Sequence, residues 1–171
     1  GLRGYDINTL YEALLKDANT EAPLDAVARR GVSYYNSLGY VPYDVKINEN
    51  AARTLEYAYD DFTIAKLGEA LKRPKEEVEL YLKRSQNYRN LFDPETKLMR
   101  GKNKDGSFQM PFNPFKWGDA FTEGNSWHYS WSVFHDIEGL KQLMGGNDQF
   151  ARMLDSVFIM PPVFDESYYG G

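Results

Sequence analysis

Residues 51–71 limit what this chain can fold into more than any other segment. Their apolar side chains fall into two helical stripes. Leu55, Tyr59 and Phe62 form one; Tyr57, Ile64, Leu67 and Leu71 lie roughly opposite. A helix that is apolar on two sides does not lie on a surface but is sandwiched between other elements. Its neighbours are therefore sought in the rest of the chain.

Five further helices are legible. Asp6 can cap a helix running to about Ala18, with Ile7, Leu10, Tyr11, Leu14 and Leu15 on one face. Pro23 suits the first position of a second helix, which Leu24, Val27, Ala28, Tyr35 and Leu38 carry to Gly39 with Gly31 inside it. Pro74 restarts the chain after the long helix, and Glu76 and Glu77 favour a helix start that continues to about Leu91. A fifth helix is expected from about Asn125 to Met144, ending at Gly145-Gly146. Asn147 then caps a last helix bearing Phe150, Met153, Leu154, Val157 and Phe158, which Pro161-Pro162 stops. Between the fourth and fifth helices, Asp93-Pro94-Glu95-Thr96 is a turn signal. Leu98–Arg100 and Ser107–Met110 could pair as a short β-hairpin across residues 102–106. Pro111 and Pro114 hold an irregular stretch up to Asp119. No strand–helix alternation exists, which excludes a parallel sheet. The fold class is all-α, built of three consecutive helical hairpins with a long loop before the fifth helix.

Composition narrows the function. The 171 residues suffice for one ordinary core, since a chain of this size buries roughly 70% of its unfolded surface. With no cysteine, disulfides, thiolate metal sites and cysteine nucleophiles are all excluded. No apolar run approaches the roughly 20 residues that span a bilayer. The net charge of −5, with charges scattered, argues against nucleic acid as a partner. The 15% aromatic content fits either a packed interior or a surface for flat ligands such as sugar rings. The ends, Gly1-Leu2-Arg3-Gly4 and Asp165 to Gly171, read as those of a piece excised from a longer polypeptide. Residues 1–171 are accordingly taken as a single all-α piece of a longer polypeptide.

The stretch from Trp117 to Trp131 holds all three tryptophans. It places Glu123 at a loop-to-helix junction among Trp117, Phe121, Trp127 and Trp131, with Gly124 leaving room for a close approach. A carboxyl buried in an aromatic cavity is desolvated and stays protonated, as a general acid must. The alternative is a first-turn acid that caps the helix, with the tryptophans as core. Arg53, Glu56 and Asp60 share a face of the long helix, as a polar strip facing a cavity or a solvated salt-bridged face. His128 and His135 would lie about 10.5 Å apart along one helix, too far for a single metal ion. Neither a glycine-rich phosphate loop nor a spacing that places a nucleophilic serine is present.

Three long blocks carry a resemblance. They are Phe121-Thr122-Glu123-Gly124-Asn125-Ser126-Trp127-His128-Tyr129 with Trp131 and His135-Asp136; Thr54-Leu55-Glu56-Tyr57-Ala58-Tyr59-Asp60-Asp61; and Arg84-Ser85-Gln86-Asn87-Tyr88-Arg89-Asn90-Leu91-Phe92-Asp93-Pro94 followed by Met99-Arg100-Gly101. With Leu143-Met144-Gly145-Gly146, they resemble glycoside hydrolase family 92, the bacterial exo-acting α-mannosidases, over nearly the whole chain.

The resemblance implies an (α/α)6 toroid of which this chain forms about half. It implies a calcium-dependent, inverting enzyme that removes α-linked mannose from glycans, with α-1,2 the expected linkage. The family's general acid falls on Glu123. Trp127 and His128 fall beside it as substrate-binding positions, and His128 stands where many relatives carry Gln. The calcium ligands and the catalytic base are implied to lie outside this chain, since neither the family's Gly-Asn/His-Glu-Pro block nor its Asn-Asp-Asp block occurs here. An inverting enzyme needs a second carboxylate roughly 6.5–9.5 Å from the acid. The piece alone is thus expected to be inactive and to bind no catalytic calcium. The parent's expected partner is a mannose-containing glycan, not nucleic acid or membrane, and its expected place is the periplasm or outside the cell. A part-ring should expose apolar surface and self-associate. The competing expectations are a different toroid-type glycosidase, or an all-α module that binds carbohydrate or protein.

Overall fold

The computed structural model describes residues 4–21 and 28–170. Among them are seven α-helices and one two-stranded antiparallel hairpin. Helix α1 (Ile7–Asn19) starts where the Asp6 carboxylate accepts the backbone N–H groups of Asn8 and Thr9. The expected start of the second helix at Pro23 lies outside the described residues, and α2 covers only Val32–Leu38. Gly31, at φ +74°, turns left-handed and cannot continue a helix into it; the side chains of Ile47 and Val41 fill the space a Cβ would need.

Helix α3 (Asn50–Ala70) is the long central element. Its Ala51, Leu55 and Ala58 join a core cluster with Tyr88, Leu91, Met99, Val133 and Leu140. Ile64 and Ala65 enter a second cluster with Tyr11, Ala18, Val78 and Tyr81. Tyr57 packs with Tyr35 and Val41 in a third. The helix is sandwiched, as its two apolar stripes required, although Tyr59 reaches the surface at 39% exposure. Under α3, Arg29 and Asp61 form a buried ion pair at 2.7 Å.

Helix α4 (Lys75–Arg84) ends earlier than expected. The Ser85 carbonyl receives His135 Nε2 at 2.8 Å instead of a later helical N–H, and a 3-10 turn occupies Asn87–Leu91. The hairpin pairs β1 (Phe92–Asp93) with β2 (Leu98–Met99), not residues 98–100 with 107–110 as expected. Its turn is the Asp93–Thr96 signal, where the Asp93 carboxylate accepts from Glu95 N–H and Thr96 Oγ1. The expected pairing shrinks to one bridge, Lys102 to Phe108, flanked by Gln109 N–H donating to the Gly101 carbonyl and Asn103 N–H donating to the Ser107 carbonyl, each at 2.8 Å. Arg100 fastens the later segment by side chain, donating to the Gln109 carbonyl and pairing with Asp93 at 2.9 Å.

The expected fifth helix is two. Helix α5 (Ser126–Tyr129) stops after one turn, and α6 (Ile137–Met144) begins where Asp136 caps Gly139 N–H. The break has a tertiary cause: Ser126 Oγ donates to the Met99 carbonyl, Ser130 Oγ accepts Met99 N–H, and Val133 is driven fully into the core. Helix α7 (Asn147–Ile159) has Gly146, not Asn147, at its cap position and buries no residue completely. Phe158 and Ile159 near its end are about four-fifths exposed, at 79% and 80%. No helix of the described residues is long and apolar enough to cross a membrane.

Candidate active site

The loop that carries Glu123 is built on the N-terminus of α3. Its ends are joined by the Gly118 N–H donating to the Gly124 carbonyl at 2.8 Å. The Asp119 carbonyl accepts Glu49 N–H, and the Ala120 carbonyl accepts both Ala51 and Ala52 N–H at 3.0 and 3.1 Å. Those amides belong to the first turn of α3, whose donors have no partner within the helix. The loop thus satisfies the helix, and the helix fixes the loop. Phe121 is buried and stacks on Tyr129, whose hydroxyl donates to the Thr122 carbonyl at 2.7 Å.

Glu123 follows at φ +46°, a left-handed conformation that costs a non-glycine residue on the order of 1–3 kcal/mol. Its side chain is exposed and makes no hydrogen bond or ion pair with any described residue. The expected burial among tryptophans is therefore not found in this chain. The capping alternative fails too: Asn125 is the cap of α5, accepting His128 N–H, and the first turn of α5 contains no acid. Gly124 admits no outside ligand either. It is buried, and a Cβ there would come within 3.0 Å of the Tyr129 ring.

The three tryptophans gather elsewhere. Trp127, His128 and Trp131 line an apolar cavity of about 370 Å³, closed by Val157 and the segment 160–164. Trp117 packs edge-on against His128 and Phe164. The structure thus brings Trp127 and His128 together but leaves Glu123 outside their cavity. His128 Nδ1 lies 2.8 Å from Asn125 Oδ1 and completes the cap of α5. His135 sits on a different element, among the rings of Tyr59, Phe62 and Tyr88. The polar strip on α3 also splits. Arg53 pairs with Glu49 at 2.9 Å and Asp60 lies 3.5 Å from Arg29. Glu56 is left with a pKa raised by partial burial and then by the charge of Asp60. Asp119 braces the same loop by side chain, accepting from Tyr43 Oη at 3.0 Å and Lys116 Nζ at 2.7 Å, and nothing local in the sequence marks the Tyr43 contact. Among the described residues, no three His, Asp or Glu side chains converge as a metal cage.

The sequence matches the glycosyl hydrolase family 92 catalytic domain over residues 1–170. The chain belongs to glycoside hydrolase family 92. A family 92 inverting mannosidase from Bacteroides thetaiotaomicron is 41% identical and superposes with a TM-score of 0.86, over all of this chain and 23% of its own. A family 92 α-mannosidase from the same bacterium, in complex with mannoimidazole, is 33% identical with a TM-score of 0.84, over 95% of this chain and 21% of its own. A protein of Arthroderma benhamiae, called an uncharacterized secreted glycosidase, is 32% identical over 88% of this chain and 23% of its own length. The chain therefore spans less than a quarter of each of these relatives. Its consecutive helical hairpins correspond to part of the family 92 (α/α)6 toroid.

Proposed function

We propose that this chain is the acid-bearing part of an exo-acting, inverting α-mannosidase, with Glu123 as its general acid. The observation that carries the reading is the state of Glu123: a strained backbone on a loop locked to α3, with a carboxyl committed to no neighbour. The 41% identity to an inverting mannosidase supports the reaction type, and the mannoimidazole complex of a relative supports mannose as the sugar. Trp127 and His128 then act at the sugar beyond the cleaved bond, α-1,2-linked in the preferred substrate. The relative called secreted supports export of the complete protein.

A general acid works best when its surroundings shield it from water. Glu123 is exposed here, so that shielding comes from another part of the complete protein. The same holds for the second carboxylate that activates water, roughly 6.5–9.5 Å from the acid in an inverting enzyme. The calcium ion of this reading is held by other parts of the complete protein, since the described residues bring no three His, Asp or Glu side chains together. The isolated chain is accordingly inactive.

The test is mannose release from an α-1,2-linked mannose disaccharide by the complete protein, with calcium, and by its Glu123→Gln variant. Loss of a general acid lowers the rate roughly 10²–10⁴-fold. An active parent with an unaffected variant removes Glu123 from the acid role, and an inactive parent removes the substrate assignment.

A further inference from the structure

Residues 160–169 run from the end of α7 back to the loop that carries Glu123 and meet it at its neck. The neck is the bond from Gly118 N–H to the carbonyl of Gly124, the residue after Glu123, at 2.8 Å. Just before Gly118 the two backbones join as a parallel bridge. Trp117 N–H donates to the Asp165 carbonyl at 2.8 Å, and Asp165 N–H donates to the Phe115 carbonyl at 3.1 Å. The Asp165 carboxylate accepts Asn113 Nδ2 at 2.8 Å on one oxygen and Ser167 N–H at 3.1 Å on the other. The second of these bonds starts the 3-10 turn Ser167–Tyr169, which sets two tyrosines against the neck. A Cβ on Gly118 would come within 2.7 Å of the Tyr168 ring and 2.9 Å of Tyr169. Gly118 also holds φ +81°, so both its backbone and its neighbours require glycine.

These contacts add little to the stability of the chain. Val163, Phe164, Tyr168 and Tyr169 stay 53%, 53%, 39% and 58% exposed, so the segment buries little apolar area. It nevertheless makes three hydrogen bonds to residues 113–117 and packs on Gly118. What it holds is the loop rather than the core. A general acid needs such holding, since a misplacement of about 1 Å can cost 10²-fold in rate. The Glu123 carboxyl makes no hydrogen bond or ion pair with any described residue, so its place is set by the backbone alone. Helix α3 fixes that backbone on one side, at Asp119 and Ala120. On the other side, among the described residues, the neck rests on Tyr168 and Tyr169.

We infer that Asp165 is a positioning residue for the general acid, acting through Trp117 and Gly118 on the loop that carries Glu123; the inference rests on the acid role of Glu123. Without its carboxylate the turn at Ser167 loses the bond that starts it, and Asn113 loses its acceptor. The tyrosines then withdraw from Gly118, and the neck and Glu123 shift together.

The experiment measures kcat and KM of the complete protein and of its Asp165→Ala, Tyr169→Ala and Glu123→Gln variants on two substrates. An α-1,2-linked mannose disaccharide releases a sugar alkoxide, which needs the proton of the acid. The second substrate, 2,4-dinitrophenyl α-mannopyranoside, releases a phenolate stable enough to leave without one. A misplaced acid therefore slows the first reaction and largely spares the second, whereas a general loosening of the fold slows both. Asp165→Ala and Tyr169→Ala are each expected to lower kcat for the disaccharide about tenfold with KM unchanged, and kcat for the aryl mannoside by less than about threefold. Equal losses on the two substrates, or no loss, in either variant overturn the inference. Glu123→Gln calibrates the split: if it slows both substrates equally, or neither, the acid reading beneath the inference fails instead.

Discussion

Arg29 and Asp61 are expected to be strongly coupled, and removing both is expected to be easier than removing either. Their side chains are 3% and 0% exposed, with Nη1 and Oδ1 2.7 Å apart. Tyr35 donates to Asp61 Oδ2 at 3.0 Å, and the guanidinium lies 5.0 Å from the Tyr57 ring centre. Burial is the strongest influence on Asp61 and holds its pKa above the usual carboxylate range, even though Arg29 pulls it down. Desolvation thus outweighs attraction, the situation in which replacing a whole buried pair by apolar residues is neutral or stabilising. Arg29→Met alone strands a buried carboxylate and should cost about 3–5 kcal/mol. At roughly 2–4 °C per kcal/mol for a chain of this size, Tm should fall by roughly 6–20 °C. Asp61→Leu should cost a similar amount, because among the described residues Arg29 keeps only Asp60 at 3.5 Å and Asp17 at 3.9 Å, both half-exposed. The double variant should lie within about 1 kcal/mol of the parent or above it, with the Tyr35 hydroxyl turning to the Arg84 carbonyl, 3.2 Å away. The assay is thermal and denaturant unfolding of all four proteins by far-ultraviolet circular dichroism. A double variant that loses the sum of the two single losses refutes the reasoning. The pH dependence is a second check. A carboxyl whose pKa is raised on folding binds its proton more tightly in the native state. Its contribution is complete below the unfolded pKa and is lost as pH rises through the folded one. The stability difference between the parent and the double variant should therefore move against the parent as pH rises through that window.

Gly139→Ala places a methyl group against Asp136 Oδ2, Arg89 Nη2 and the Tyr88 hydroxyl, that is, against the carboxylate that caps α6 and the two groups that hold it. Overpacking and a weakened cap together should lower stability by roughly 2–4 kcal/mol, read as a shift in the denaturant midpoint. The apolar end of α7 should drive association of the isolated chain: Phe158→Ser with Ile159→Ser should shift it toward monomer in sedimentation equilibrium, and a parent that is already monomeric refutes this.

The elements that were legible in the sequence are those that local chemistry decides. Helix α3 announced itself because its two apolar stripes have no other use, and α1 because Asp6 supplies its own cap. The break between α5 and α6 was not legible. Helical spacing runs through it, while the bonds that stop the helix join Ser126 and Ser130 to Met99, some thirty residues away. The hairpin register was missed for a related reason: Arg100 turns its side chain onto the Gln109 carbonyl and Asp93, and the backbone pairing of residues 107–109 falls on residues 101–103 instead. At the candidate site, sequence proximity of three tryptophans to Glu123 suggested a cage. The rings of Trp127 and Trp131 instead face a cavity whose other wall, Val157 and residues 160–164, enters from the far end of the chain. The motif located the residue, but only tertiary structure located its surroundings.

The conformation of Glu123 separates a functional residue from a structural one more sharply than its motif does. A residue kept for stability would have a cap to make, a partner to bind or apolar area to bury. Glu123 has none of these among the described residues, and its φ of +46° costs on the order of 1–3 kcal/mol. Glycine holds that conformation without strain but adds freedom to the unfolded chain, which costs about 0.4–1 kcal/mol. The balance for Glu123→Gly is a gain of up to about 2 kcal/mol in this chain. If Glu123 is the acid we propose, the same substitution in the complete protein should remove mannose release. Stability and activity would then move in opposite directions at one position, as expected where strain is retained for function. A Glu123→Gly chain less stable than its parent would show that the side chain supports the fold after all, and that its strained backbone is no sign of chemistry.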